Sequence, residues 1–295
     1  MGTKLDGIDL SAKIKKDLSL NIINVRNKKE FFITPNLTAV LIGDDPASQI
    51  YIKQKQKACL EVGINFTLEH LSSTISQSDL ITKISFINND PGVHGCIIQL
   101  PIPNHLDKNI ILSHVSVDKD VDCFHPENIG NMLLNRPKFL PATPYGIKLL
   151  IEHYNIPTKG KHCVIIGKSL IVGQPLANLM SLESGMAATV TICDRYTENL
   201  ADHTKRADIL IVAAGKHHLI NDVNMIKPKS VIIDVGIHRI NDANTKNGYR
   251  LEGDVNYDLL KEHCSFITPV PGGVGPMTVV ALLLNTWTAY LNQLT

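Results

Sequence analysis

What most limits the folding of this chain is a repeated pair of patterns: a short apolar run of strand length, followed by a stretch with helical spacing. The first run, Leu37-Thr38-Ala39-Val40-Leu41-Ile42, ends at Gly43 and reads as a strand buried on both faces. Asp45 then supplies an N-cap and Pro46 the first helical position, and helical spacing continues from 47 until Gly63 stops it. A polar amphipathic helix over 10–25 precedes this pair, and a strand at 66–70, a helix at 79–88 and a strand at 93–100 follow it. A β-α-β-α-β series predicts an α/β fold with a mostly parallel sheet.

Residues 101–144 read as one irregular loop, with prolines at 101, 103, 126, 137, 141 and 144. Long proline-studded loops in compact domains are functional or linking. Helical spacing resumes at 146–154, and the apolar run 162–166 leads into a glycine turn. Strands at 189–193, 209–213 and 231–235 predict a second doubly wound sheet. A tight loop at 268–276 and an apolar helix at 277–291 end the pattern.

With 295 residues, 44% of them apolar, the chain can bury two cores. Its net charge of +1, from 29 basic and 28 acidic residues, lacks the basic field of a nucleic-acid binder, so small-molecule partners are expected. No signal-type segment stands at the amino terminus, and no uninterrupted apolar run approaches the length of a membrane span. Six cysteines without a C-x-x-C pair argue against a zinc site and a disulfide framework, so no metal and a reducing cytoplasm are expected.

A strand that ends in glycine and opens a helix presents free backbone N–H groups and a positive dipole end to a pyrophosphate. Gly167-Lys168-Ser169-Leu170-Ile171-Val172-Gly173 has that context, although Ser169 stands where a G-x-G-x-x-G fingerprint has its second glycine. The competing reading is a tight strand-to-helix turn without a ligand. After the next strand comes Asp194-Arg195. Asp194 favours NAD, whereas Arg195 and Lys168 favour NADP, and two cations against one carboxylate tip the expectation to NADP.

In the first half, Tyr51 and Lys55 stand four apart and share a helix face. The bland alternative is a solvated lysine-rich face, since Lys53 and Lys57 form a similar row. Position favours chemistry: the helix follows a strand, so its start lies on the edge where clefts open, within reach of Gln99 and Asp122. A lysine in a partly desolvated cleft serves as a proton-transfer group, which Gln99 would orient, while Asp122 would take the amino protons of a heterocycle.

Five segments together resemble the bifunctional methylenetetrahydrofolate dehydrogenase/cyclohydrolase family along nearly the whole chain. They are Asp44-Asp45-Pro46-Ala47-Ser48-Gln49-Ile50-Tyr51 with Lys55, Gly95-Cys96-Ile97-Ile98-Gln99-Leu100-Pro101-Ile102-Pro103, Lys119-Asp120-Val121-Asp122-Cys123-Phe124-His125-Pro126, the glycine turn through Pro175, and Pro269-Val270-Pro271-Gly272-Gly273-Val274-Gly275-Pro276-Met277-Thr278. The resemblance implies a folate-binding catalytic domain over 1–145, completed by a returning helix at 277–295, and a Rossmann-like NAD(P)-binding domain over 146–276. It implies oxidation of 5,10-methylenetetrahydrofolate to the methenyl form with NADP, then hydrolysis to 10-formyltetrahydrofolate, by a cytoplasmic homodimer.

By the same resemblance, Lys55 transfers the proton in hydrolysis, Tyr51 flanks the substrate, Gln99 holds Lys55 and Asp122 anchors the pterin. Ser48, Leu100, Pro101 and the segment Pro271, Gly272, Gly273, Val274, Gly275, Pro276, Met277 and Thr278 surround the folate. Gly167, Lys168, Ser169, Ile171, Gly173, Arg195, Gly236 and Ile237 take the cofactor. Three positions depart from the family pattern: Cys123 for a glycine, Ala142 for a cysteine and Asp194 for a histidine. The first alters the loop if its backbone needs a positive φ. The second is expected to be silent packing, and the third sets a carboxylate where a 2′-phosphate would lie. The rival expectations are a folate dehydrogenase without the hydrolase and a non-catalytic dinucleotide sensor; intact Tyr51, Lys55, Gln99 and Asp122 argue against the sensor.

Overall fold

A computed structural model describes residues 2–183, 185–245 and 248–294. In chain order its first half holds β1 (Thr3–Lys4), α1 (Gly7–Lys28), β2 (Asn36–Ile42), α2 (Pro46–Val62), β3 (Asn65–Leu71), α3 (Gln77–Asn89), β4 (Gly95–Ile98), α4 (Lys108–His114), α5 (Pro126–Leu133) and α6 (Ala142–His153). Then come β5 (His162–Ile166), α7 (Gly173–Ser181), β6 (Thr189–Cys193), α8 (Leu200–Thr204), β7 (Ile209–Val212), β8 (Val231–Asp234), β9 (His238–Asn241), β10 (Tyr249–Glu252), α9 (Tyr257–Leu260), β11 (Phe266–Ile267) and α10 (Val274–Asn292).

The chain divides into two compact units, each made of two separate stretches. One holds Ala12–Ala142 with Val279–Thr295. Its sheet has the order β3-β2-β4, and both pairings are parallel. The buried residues of β2 and β4 make one core with Leu80, Ile84 and Ile87, which recur at helical spacing on α3. The helix α2 begins as its sequence dictates: the Asp45 carboxylate accepts the Ser48 N–H at 2.7 Å, Pro46 sits in the first turn, and Gly63 ends the helix.

The other unit holds the chain up to Ser11 with Thr143–Thr278. Its six-stranded sheet runs β1-β11-β8-β7-β5-β6, parallel throughout, and Val164, Ile166, Leu210, Val212 and Ile232 form the centre of its core. Four-residue strands such as β7 and β8 are buried along their whole length, as strands covered on both faces must be.

The structure amends the sequence reading at several points. Residues 101–144 are not one irregular loop: Asp107 caps α4 by accepting the Asn109 and Ile110 N–H groups, His125 caps α5 ahead of Pro126, and α6 starts at Ala142 with Pro144 in its first turn. Local capping within a few residues outweighs the proline content. Thr3 and Lys4 pair with Phe266 and Ile267, which draws the first eleven residues to the second unit. The helix α10 starts at Val274, with Gly275 and Pro276 inside its first turn. Among the described helices it is the one long and apolar enough to cross a membrane, with mean hydropathy 1.3 and 61% of its most apolar window buried within the fold. That burial is protein packing: Tyr290 meets the rings of Phe32 and His94, and Trp287 stacks on Tyr290.

Asn285 ties α10 to the loops of its own unit. It is 3% exposed, and its Nδ2 donates to the carbonyls of Val121 and Leu140, both at 2.8 Å. Replacing Asn285 with alanine strips both carbonyls of that donor in a site closed to water. Urea unfolding is expected to register a loss of about 2–3 kcal/mol; a loss under about 0.5 kcal/mol would show that these bonds carry no weight.

Candidate functional site

In the first unit the chain leaves the centre of a three-stranded sheet for one neighbour and later returns to the other. The carboxyl ends of β2 and β4 therefore flank a switch in strand order, where α/β sheets open a crevice. The helix α2 follows β2, and Gln99 follows β4. There the Lys55 Nζ donates to the Gln99 Oε1 at 3.0 Å, and the Gln99 Nε2 donates to the Leu100 carbonyl at 2.8 Å. The second bond fixes which end of the amide faces the lysine. Tyr51, one turn earlier on α2, is 42% exposed.

The third element is the segment 119–125, which runs parallel beside β4 through a bridge from Cys96 to Asp120. Three charged side chains shape it. Lys119, buried, donates its Nζ to the carbonyls of Ile87 and Asp90 at 3.1 and 2.6 Å. The Asp120 carboxylate accepts the N–H groups of Phe124 and His125 and the Asn128 amide, which folds the chain back. Asp122, two residues further on, is half-buried. Burial pushes its carboxyl above the usual range, Lys55 pulls it down and Asp120 pushes it further up. Lys55 thus has a neutral amide as its hydrogen-bond partner and interacts electrostatically with the Asp122 carboxyl.

Cys123 bears out the concern its position raised: its φ is +60°, a left-handed conformation in which a side chain is strained. The side chain is fully buried, with its Sγ 3.4 Å from the Phe139 carbonyl, and burial holds the thiol well above its usual range. Ala142 is buried at the start of α6. Ser48 is 1% exposed and contributes its backbone N–H to the α2 cap, while Leu100 is half-buried and Pro101 exposed.

The remaining predicted residues lie in the second unit, where the order switches at β5, with β6 on one side and β7 on the other. The glycine turn leaves β5 there. Gly167 has φ +119°, and a Cβ on it would lie 2.2 Å from the Ala213 carbonyl oxygen after β7; a Cβ on Gly173 would lie 1.9 Å from the Gly167 oxygen. Both positions require glycine. Ser169 has a structural role of its own, since its Oγ accepts the Val172 N–H at 3.1 Å where Val172, the cap residue of α7, has no side chain able to accept a hydrogen bond. Lys168 and Ile171 stay exposed, so the turn keeps an open backbone cradle with a cation at its rim, which suits a pyrophosphate.

Past the next strand, β6, the Asp194 Oδ2 lies 3.2 Å from the Lys168 Nζ. Asp194 sits below the usual carboxylate range, chiefly because it accepts the Tyr196 N–H and also because of Lys168. The exposed Arg195 lies over the Tyr196 ring at 4.8 Å. Gly236 is buried and Ile237 is 50% exposed beside it. Two carboxylates that the sequence reading passed over hold this region. Asp234 accepts the N–H groups of Gly236, Asp254 and Val255, and burial pushes it up to about 7 against the pull of those donors. Asp254 accepts the N–H groups of Ala214 and Gly215. Their signal in the sequence is an aspartate next to, or two before, a glycine in a turn. The segment 271–278 belongs to this unit too: Gly272 accepts the Gly7 and Ile8 N–H groups, and Thr278 bonds Thr143.

Gly173→Ala is expected to lower the thermal midpoint by roughly 5 °C and to weaken dinucleotide binding at least about tenfold. Thermal unfolding and a fluorescence titration read the two effects; unchanged binding would detach the turn from the cofactor.

Comparison with known proteins agrees with this geometry. Residues 5–122 match the tetrahydrofolate dehydrogenase/cyclohydrolase catalytic domain, and residues 141–294 match the NAD(P)-binding domain of the same family. A "Bifunctional protein FolD" of Amoebophilus asiaticus is 48% identical over 294 residues, covering 99% of this chain and 98% of the relative. One of Chloroherpeton thalassium is 46% identical over 289 residues, covering 97% of each. The crystal structure of the Campylobacter jejuni FolD dehydrogenase/cyclohydrolase superposes with a TM-score of 0.91 at 42% identity, over 99% of this chain and 100% of that one. The Trypanosoma brucei FolD structure, complexed with NADP and an inhibitor, does so with a TM-score of 0.93 at 32% identity, over 99% and 98%. With its two characteristic domains in order along nearly all of its length, the chain belongs to the tetrahydrofolate dehydrogenase/cyclohydrolase family.

Proposed function

We propose that this protein oxidises 5,10-methylenetetrahydrofolate to 5,10-methenyltetrahydrofolate with NADP and hydrolyses the product to 10-formyltetrahydrofolate. The observation that carries the reading is the Lys55–Gln99 hydrogen bond beside Asp122, because that arrangement belongs to proton transfer and a dehydrogenase alone has no need of it. Residues 12–142 would bear the folate chemistry and the unit with the glycine turn the cofactor. The reading also takes the protein to be a cytoplasmic homodimer.

The oxidation removes hydride from a carbon flanked by two nitrogens, which stabilise the cation left behind, so positioning matters more than a protein base. When bound, NADP supplies the hydride acceptor. Gly167, Lys168, Ser169 and Gly173 would hold its phosphates, Arg195 its ribose end, and Gly236 with Ile237 the nicotinamide, with Ile171 alongside. In the unit that bears Lys55, Tyr51 would flank the pterin and Asp122 would accept its amino protons, with Ser48, Leu100 and Pro101 lining the site.

Hydrolysis adds water to the methenyl carbon and then opens one C–N bond, so a proton must leave the water and reach nitrogen. Lys55 is the group placed to carry it, and Gln99 holds the Nζ in one position during the transfer. Lys55→Met is expected to cut methenyl hydrolysis at least about 100-fold while hydride transfer persists, followed as loss of the methenyl absorbance and gain of reduced cofactor. Hydrolysis at the normal rate would remove Lys55 from this role.

NADP is preferred because Lys168 and Arg195 together outweigh Asp194, whose carboxylate already engages Lys168. A 2′-phosphate would compete with Asp194 for that cation. Asp194→Ser is therefore expected to lower the KM for NADP by roughly three- to tenfold, with little change for NAD. A rise in the NADP KM would mean instead that Asp194 positions Lys168 for the cofactor.

A further inference from the structure

Away from the residues already assigned, His217, His218 and Glu252 bring three metal-type donors together. The His217 Nε2 lies 2.5 Å from the Glu252 Oε2 and the His218 Nε2 lies 3.2 Å from the same oxygen, with the three donor atoms all within 4.8 Å of one another. Neighbouring side chains on extended backbone point opposite ways. Here they do not, because His218 has φ +47°, and the two rings stack at 3.9 Å with 21° between their planes. A left-handed non-glycine residue is strained and persists only where its surroundings impose it.

The surroundings do impose it. His218 donates its N–H to the Gly253 carbonyl, Ile220 donates to that of Asp254, and Asp254 in turn holds Ala214 and Gly215. The loop after β7 is thereby pinned beside the end of β10, which carries Glu252. The Arg250 Nε donates to the other carboxylate oxygen of Glu252, Oε1, at 2.5 Å, leaving Oε2 aimed at the imidazoles. Outer partners that orient a ligating carboxylate in this way are a mark of metal sites.

We propose that His217 Nε2, His218 Nε2 and Glu252 Oε2 bind a divalent first-row transition ion, zinc above all, with a fourth position open to water. Two imidazoles and one carboxylate suit zinc and exclude magnesium and calcium, which take oxygen ligands. Tetrahedral bonds of about 2.0–2.1 Å separate donors by roughly 3.3 Å, so the Glu252 Oε2 need retreat only about 0.8 Å from His217. The sequence reading expected no metal because it sought close cysteine spacing, whereas His217 and Glu252 stand 35 positions apart. The ion would clamp the β7 loop to the β9–β10 hairpin on the sheet edge from which the glycine turn departs.

Isothermal titration of chelator-treated protein with zinc chloride tests this. The wild-type chain is expected to take one zinc with micromolar or tighter affinity and to melt at a higher temperature when loaded. His217→Gln/His218→Gln and, separately, Glu252→Gln should each bind at least tenfold more weakly while melting like the wild type without zinc. Where the double variant fails to fold, His218→Asn takes its place. A wild type that binds zinc no more tightly than these variants would overturn the proposal, as the ions would then sit on other histidines.

Discussion

Every strand pairing in the two main sheets is parallel, and that constraint governs the rest. Parallel neighbours cannot be joined by tight hairpins, so each connection crosses a face of the sheet, usually as a helix, and all the carboxyl ends collect on one edge. Where consecutive connections diverge to opposite sides of one strand, the loops part and leave a crevice. This happens at β2 in one unit and at β5 in the other. The Lys55–Gln99 pair occupies the first divergence, and the Gly167 turn against Ala213 occupies the second.

Around those openings, charge is used locally and in full. Lys119, Asp120 and Asp254 are each buried, and each has partners for its polar atoms, which matters because an uncompensated buried charge costs several kcal/mol. Their work is architectural: Lys119 and Asp120 bend one segment, while Asp254 anchors another. Asp122 follows Lys119 and Asp120 and is set apart from them by its coupling to Lys55.

Much of this was legible in the sequence. The runs at 37–42 and 162–166 read as strands because fully buried parallel strands are apolar throughout, and Asp45-Pro46 marked the start of α2. Helical spacing put Tyr51 and Lys55 on one face, and the position of that helix after a strand, with the family resemblance, singled them out. What escaped detection depends on partners distant in sequence or on very short segments. The two-residue β1 has no periodicity and exists through its pairing with Phe266 and Ile267. The caps at Asp107 and His125 were hidden by the surrounding prolines. Asp194 could be seen to conflict with Arg195, but the Lys168 contact that occupies it needs the turn and the next strand side by side. His218 and Glu252 meet only because a left-handed backbone turns one ring around.

Neither unit is a continuous piece of chain, and this bears on biosynthesis. The unit bearing Lys55 needs Val279–Thr295, whose Asn285 holds the Val121 and Leu140 carbonyls and whose Tyr290 packs on Phe32 and His94. A nascent chain that has already made β2, β3 and β4 must therefore wait until α10 is translated before their domain is complete. During that interval its apolar surfaces are open to chaperones and to neighbouring chains, so the late arrival of α10 acts as a checkpoint on strands made long before it.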